Sequence, residues 1–464
     1  MTDPISERWR EIRSGGASLS TALWDEKGRA IASFADIEAA AGQWSRQLKL
    51  TAGQVVALQI GNHPEWPAIF LALLRNQLVT LPLDVSLRGQ ETQRILQAAG
   101  ASLLLERVNG EITLKALPNP PPIWNGPAPD LLKVTSGSTG NPRLVRFTAG
   151  QLLADADKIC TTMGIEKSDL NYGVIPFSHS YGFSNLITPL LGRGIPLVVA
   201  NDAIPRAIID SLKASKATVF PGVPVFFQSL SRTQNTQLPE TLRLCISAGA
   251  PLSPEIVRAF QRQFGLKIHS FYGASECGGI CYDDSDELDL PPGFVGRPMQ
   301  NVELTFLDDT GRIAISSNSV GSGYFPLDEP ETLGEGVYYA GDLLEPALDG
   351  FRITGRLSQF INVAGKKLNP SDVEEVIWQL PGVTHAVVFG IASERRVQSV
   401  IAAVVCEKTL TEADIRAHCL RHLTPWQVPE RVWLLADIPV NERGKISRFE
   451  LATQFAREHS WFTP

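Results

Sequence analysis

The chain has 464 residues, too many for one hydrophobic core, so two to four domains are expected. Its net charge of −7 and the lack of a long basic run argue against nucleic acid as the main partner. No apolar stretch is long enough for a membrane span, the charged start MTDPISERWREIR has no secretory apolar region, and six scattered cysteines suit a reducing cytoplasm.

In chain order, helical and strand patterns alternate from residue 31 onward. Residues 35–48 have helical apolar spacing, 55–60 read as a buried strand, 64–77 as a largely buried helix and 78–83 as another buried strand. Continuous apolar strands alternating with helices imply parallel sheets covered on both faces. Residues 119–130 are proline-rich and read as a loop leading into a short strand at 131–134. That strand runs directly into Thr135-Ser136-Gly137-Ser138-Thr139-Gly140, followed by Pro142 and Arg143. Glycines allow close backbone approach, their N–H groups can form an anion nest, and the hydroxyls and the arginine add donors and charge. The same composition also suits a polar surface turn. No Gly-Lys-Ser/Thr closes the loop, which argues against a common nucleotide P-loop of a kinase or ATPase.

A helix is expected at 152–163 and strands at 171–176, 196–200, 217–220, 242–247 and 269–272. Several end on small or polar residues: Phe177-Ser178-His179-Ser180-Tyr181-Gly182, Ser247-Ala248-Gly249-Ala250-Pro251, and Phe271-Tyr272-Gly273-Ala274-Ser275-Glu276. In open α/β sheets ligands bind beyond the carboxyl ends of strands. After residue 283 the pattern changes to short antiparallel strands at 302–306 and 312–316. From 359 it becomes a small α+β region. There Asn369 and Pro370 start a helix with Val373, Val376, Ile377 and Leu380 on one face. Residues 386–391 and 397–406 suggest a strand pair, 411–423 a second capped helix, and 430–440 a further strand. His418 and His422 have the spacing of metal ligands, but no third ligand is evident and a surface helix explains them. Cys277 and Cys281, the one close cysteine pair, read as buried free thiols.

Five motifs in order carry a resemblance. The glycine loop resembles the phosphate loop of the adenylate-forming (AMP-binding) superfamily, which includes acyl-CoA synthetases, luciferases and peptide-synthetase adenylation domains. Residues 271–276 resemble its Tyr-Gly-x-Thr-Glu motif, with Ser275 for threonine. Residues 338–342 resemble its Tyr-x-Thr-Gly-Asp motif, with Ala340 for threonine. Residues 355–375 resemble the interdomain hinge and the stretch after it, and 441–448 the segment holding the catalytic lysine. The chain looks most like the fatty and aryl acid ligases, and the match runs from about residue 35 to 451.

The resemblance implies an α/β fold. A large N-terminal domain of parallel α/β sheets with a small β-barrel-like subdomain (1–355) would bind ATP and acid. A small mobile α+β domain (356–464) would bear the catalytic lysine. It implies that a carboxylic acid is activated with ATP and Mg2+ to an acyl-adenylate, then passed to a thiol. Coenzyme A is the expected acceptor, with a phosphopantetheine carrier protein or a non-catalytic nucleotide-binding homologue as alternatives. By resemblance, Thr135, Ser136, Gly137, Ser138, Thr139, Gly140 and Arg143 hold the β- and γ-phosphates. Ser275 meets the α-phosphate, and Glu276 binds Mg2+. Gly249, Ala250 and Tyr272 flank the adenine, Gly273 belongs to the same nucleotide-binding set, and Asp342 and Arg356 meet the ribose. His179 lies beside the acyl carboxylate, and Lys445 bridges carboxylate and phosphate oxygens.

Amino-acid activators of this family hold the substrate ammonium with an aspartate just after the corresponding phenylalanine. Here Phe177 is followed by Ser178 and His179, so an acid without an α-amino group is expected. Phe183, Leu186, Cys277, Gly278, Gly279 and Ile280 are its candidate pocket residues. Lys366 and Lys367 are candidates for the coenzyme A phosphates, or solvated surface lysines. Arg143 stands where the family usually has lysine, Ser358 where the hinge has Asp or Lys, and Ala364 where a glycine is common.

Overall fold

The structure is a computed structural model that describes residues 3–87, 89–135, 142–357, 360–363, 366–393, 397–439 and 446–459. Two compact units emerge. The first comprises Met1–Phe306, Ala314–Tyr339 and Pro346–Arg352; the second comprises Leu307–Ile313, Ala340–Glu345 and Ile353–Pro464.

In the first unit, a seven-stranded sheet has a parallel centre formed by Leu131–Thr135, Val79–Pro82, Val55–Gln59 and Ala101–Val108. Every residue of Val79–Pro82, Thr80 included, is buried, as the buried strand expected at 78–83 requires. The expected helix at 35–48 is Phe34–Gln47. Ser33 accepts from Asp36 N while the Asp36 carboxylate takes the Ser33 N–H, a reciprocal cap that fixes its start. The hairpin Ala101–Val108/Glu111–Ala116 was not expected. Its turn is Asn109-Gly110, both at positive φ, so the short signal for it is present in the sequence.

The second sheet brings Thr21–Asp25, Leu197–Val199, Asn171–Gly173, Val219–Gly222, Leu244–Ser247 and Ile268–Ala274 side by side and parallel. Its core packs Tyr172, Phe220, Phe227 and Phe260 at ring separations of 5.1 to 5.6 Å. Antiparallel strands Gly278–Tyr282 and Phe294–Pro298 extend it. Among the described residues, the antiparallel strands expected in a barrel-like subdomain do not close into a barrel.

The second unit contains a five-stranded sheet in which Val383–Ser393 pairs antiparallel with Val397–Cys406 and Arg431–Leu434 pairs parallel with the latter. Helices Pro370–Trp378 and Glu412–His422 contribute Val373, Ile377, Ile415 and Cys419 to one core. Helix Arg448–Glu458 contributes Leu451 and Phe455 to another. Asn369 and Thr411 cap the first two helices, as their sequences predict. All six cysteines are free thiols; five are buried and Cys406 is partly exposed. No helix among the described residues is long and apolar enough to cross a membrane.

Candidate active site

Three parallel strands of the second sheet deliver motif segments at their carboxyl ends: residues 174–181 after Asn171–Gly173, 248–250 after Leu244–Ser247, and 272–276 in and after Ile268–Ala274. Sheet order is therefore what gathers His179, Gly249, Ala250, Tyr272, Gly273, Ser275 and Glu276. Two hydrogen bonds tie the ends together. Ser180 Oγ donates to Ser275 Oγ at 2.9 Å, and Tyr181 Oη donates to the Ile246 carbonyl at 3.2 Å. Gly249 is exposed at φ +84°, and a Cβ there would come no closer than 3.8 Å to any atom, so its glycine serves backbone conformation rather than space.

The first of these segments is fixed by a residue that nothing in the sequence pattern singles out. Asn62 is buried, and its Oδ1 accepts the Phe177 N–H at 2.8 Å. Its Nδ2 donates toward the carbonyls of Gly173, Ile175 and Ala200 at 2.9 to 3.2 Å. One amide thus satisfies the backbone where the strand ends and the turn to His179 begins. The helix that starts at Ser180 then passes through a π-helical turn at Phe183–Ile187, in which Phe183 and Leu186 are buried. Such turns are frequent at functional sites.

The Glu276 segment is held from behind by buried charge. Lys158, on helix Ala149–Met163, donates to the Cys277 carbonyl at 3.2 Å and to Ser319 Oγ, which itself donates to that carbonyl at 2.7 Å. Asp155, one turn earlier, accepts the Gly279 N–H at 2.9 Å and lies 3.4 Å from Lys158 Nζ. The Glu276 carbonyl accepts from Gly321 N at 2.8 Å. Between them Gly278 sits at φ +71°, and a Cβ there would fall 2.1 Å from Asp155 Oδ1. A second buried lysine, Lys133, donates to Ser184 Oγ at 3.3 Å and lies 4.6 Å from the Phe147 ring centre. Burial lowers its pKa, partly offset by Asp155. Burial also pushes the Cys277 thiol up to about 12, which makes it an inert packing group.

The Glu276 carboxylate is linked through Tyr324 to Arg143. Tyr324 Oη donates to Glu276 Oε1 at 3.1 Å, and the Tyr324 ring lies 4.0 Å from the Arg143 guanidinium carbon. Arg143 Nη2 is 2.7 Å from Glu329 Oε2. Thr135 and Arg143 are paired across the hairpin whose tip is the glycine loop, and Thr135 Oγ1 donates to the Arg143 carbonyl at 3.2 Å. Tyr324 and Glu329 were not anticipated. Ser136, Gly137, Ser138, Thr139, Gly140, Ser358, Ala364 and Lys445 lie outside the described residues.

In the second unit, Asp342 is 7% exposed and pairs with Arg356 Nε. Strand Val337–Ala347 carries the former and Gly350–Arg356 the latter. Asn369 Nδ2 donates to the Thr354 carbonyl at 2.9 Å, which joins the capped end of helix Pro370–Trp378 to the strand of Arg356. Arg448, three residues beyond Lys445, donates to the Val388 carbonyl at 2.9 Å and to the buried Glu374 carboxylate at 2.7 Å. His418 Nε2 meets the Val376 carbonyl at 3.0 Å, and no cluster of three or more His, Cys, Asp or Glu suited to a metal occurs among the described residues.

The AMP-binding enzyme family matches residues 17–123 and 118–325, and the AMP-binding enzyme C-terminal domain matches residues 372–445. An oxalate–CoA ligase of Arabidopsis thaliana is 26% identical over 473 residues, with 90% of this chain and 92% of that protein covered. A feruloyl-CoA synthase of an Amycolatopsis species is 25% identical over 481 residues, with 96% and 95% covered. ATP-bound MatB from Rhodopseudomonas palustris has the same fold, with a TM-score of 0.85 at 22% identity over 98% of this chain and 99% of that one. With the family match spanning most of the chain and the motif segments gathered at the strand ends, this protein belongs to the AMP-binding enzymes of the adenylate-forming superfamily.

Proposed function

We propose that the chain activates a carboxylic acid with ATP and transfers the acyl group to coenzyme A. The observation that carries this reading is the linkage of Ser180–Ser275 and Glu276–Tyr324–Arg143 around the strand ends. A carboxylate oxygen attacks the α-phosphorus, the bond to the β-phosphate oxygen breaks, and pyrophosphate leaves. The thiol sulfur then attacks the acyl carbonyl and AMP departs. Both steps spread charge over phosphate oxygens, so positioning and fixed dipoles are the means of catalysis.

In this reading Thr135–Arg143 hold the β- and γ-phosphates, and Ser275 meets the α-phosphate. Gly249, Ala250 and Tyr272 flank the adenine, and Gly273 belongs to the same nucleotide-binding set. Asp342 accepts from the ribose hydroxyls, Arg356 donates to the ribose, and His179 lies beside the acyl carboxylate. Lys445 bridges the reacting oxygens. Mg2+ suits Glu276, a partly exposed carboxylate with one oxygen oriented by a phenol hydroxyl. In division of labour, residues 1–355 bind ATP and acid, and 356–464 bring Lys445.

The acid lacks an α-amino group, because no carboxylate follows Phe177 to meet an ammonium. Buried Phe183, Leu186 and Ile280 favour a fatty or aryl acid. The test is pyrophosphate release with fatty, aryl and short dicarboxylic acids, repeated with coenzyme A and with a phosphopantetheine carrier protein. An adenylate with at least one acid and an acyl-CoA product are expected, and Lys445→Ala lowers adenylation at least about 100-fold. Failure of every acid removes the reading. Acylation of the carrier protein alone replaces coenzyme A as acceptor.

A further inference from the structure

Arg143 departs from the lysine common in its family, and its surroundings give the departure a purpose. It is the first residue of strand Arg143–Phe147, paired with Thr135 at the end of Leu131–Thr135. It is already engaged: one Nη pairs with Glu329, and the guanidinium face rests on the Tyr324 ring. Its Nε is buried and has no hydrogen-bond partner among the described residues. A planar guanidinium can stack and donate through its edge at once, and it keeps donors to spare. An ammonium in the same place has no flat face to lay on the ring and no fixed edge to turn from one acceptor to another.

We propose that Arg143 is an exchangeable phosphate ligand and that Glu329 is its competitor. This rests on the reading of the site as an ATP site. The stack on Tyr324 keeps the guanidinium in place in both situations, while its edge is shared between Glu329 and the polyphosphate. ATP, with several negative charges, draws the edge from a single carboxylate that is 34% exposed and so only weakly paired. Once the α–β bond has broken, Glu329 takes the guanidinium back and pyrophosphate is released. Glu329 is therefore a positioning residue that acts through Arg143 and weakens product binding. Tyr324 links the exchange to Glu276, since the ring under Arg143 also carries the hydroxyl bonded to Glu276 Oε1.

A merely structural ion pair predicts the opposite sign, which makes the test decisive. Inorganic pyrophosphate with Mg2+ is titrated calorimetrically into the full chain, as wild type, Glu329→Gln, Arg143→Met and the double variant, with thermal melts to verify folding. Glu329→Gln is expected to bind pyrophosphate roughly two- to fivefold tighter, the upper range of one partly exposed ion pair. The gain should vanish when Arg143→Met is added, and pyrophosphate should become a correspondingly stronger product inhibitor of adenylation. Unchanged or weaker binding by folded Glu329→Gln overturns the proposal, as does a gain that persists without Arg143. A wild type that adenylates acids while Glu329→Gln shows no gain defeats the exchange and leaves the ATP site standing. A wild type that binds neither pyrophosphate nor ATP defeats both.

Discussion

Glu276 is held through the backbone around it, whereas Asp342 is held through its own side chain. Around Glu276, three successive stretches of main chain are fixed by Gly321 N, Lys158, Ser319 and Asp155, of which Lys158, Ser319 and Asp155 are buried. Around Asp342 the anchor is a pair with Arg356, whose side chain is 56% exposed. Fixing the backbone from a dry interior sets the position of Glu276 and leaves its carboxylate only the bond from the Tyr324 hydroxyl to orient it among the bonds described above. Fixing a side chain by an exposed partner lets the pair reorganise when a ligand competes. The two acids are thus suited to different work: one to a site that must be preformed, the other to a contact that can adjust.

The sharpest way to break the comparison is Lys158→Met. It leaves Asp155 buried without its cation and the Cys277 carbonyl with Ser319 alone, and breaking a buried pair in this way costs about 3 kcal/mol or more. Chemical denaturation should show that loss, and adenylation should fall even where the variant is folded. Lys133→Met is the control. Lys133 has one long hydrogen bond and a pKa already lowered by burial, so the exchange should be neutral or stabilising. Equal losses at both positions would mean that the pedestal under Glu276 is no more than packed charge.

A smaller effect is expected in the second unit. Arg356→Lys should change stability by no more than about 0.5 kcal/mol, because the pair is solvent-screened, yet raise the KM for ATP through loss of the planar donor. A variant with wild-type KM would remove Arg356 from nucleotide binding. The least effect concerns pH and sharpens how dry the first unit is. Burial lowers the pKa of His269, whose Nδ1 donates to the Asp283 carbonyl at 2.8 Å. The folded chain thus resists a proton that the unfolded chain accepts near the ordinary histidine value of 6.5. The resulting stability is complete above that pH and is lost as pH falls through the lower folded value. Denaturation midpoints measured from about pH 7.5 downward should therefore decline, and His269→Gln should flatten part of that decline. An unchanged profile would show that His269 is not the group responsible.

Local features were the legible ones. Capping by Asn369 and Thr411 depends on neighbours within three residues, and buried strands announce themselves by composition. The motif order likewise singles out Ser275, Glu276, Asp342 and Arg356 as candidates. What escaped the sequence was long-range. Asn62 meets Phe177 across 115 residues, Lys158 meets Cys277 across 119, and Arg143 meets Glu329 across 186. Nothing in the spacing of a lone asparagine or a helix lysine reveals such partners; only sheet order and helix packing do. Tyr324 had a weaker signal still, since its value lies in being flanked by a turn residue, Glu276, and a strand residue, Arg143, both far away in the chain.

The distribution of thiols has a practical consequence. Five of the six cysteines are sealed in cores, and Cys406, at the end of strand Val397–Cys406, is the partly exposed one. A maleimide dye applied to the native wild-type chain should therefore attach at a single place, in the second unit, without any engineered cysteine. Its fluorescence would follow that unit alone as nucleotide, acid and coenzyme A are added in turn.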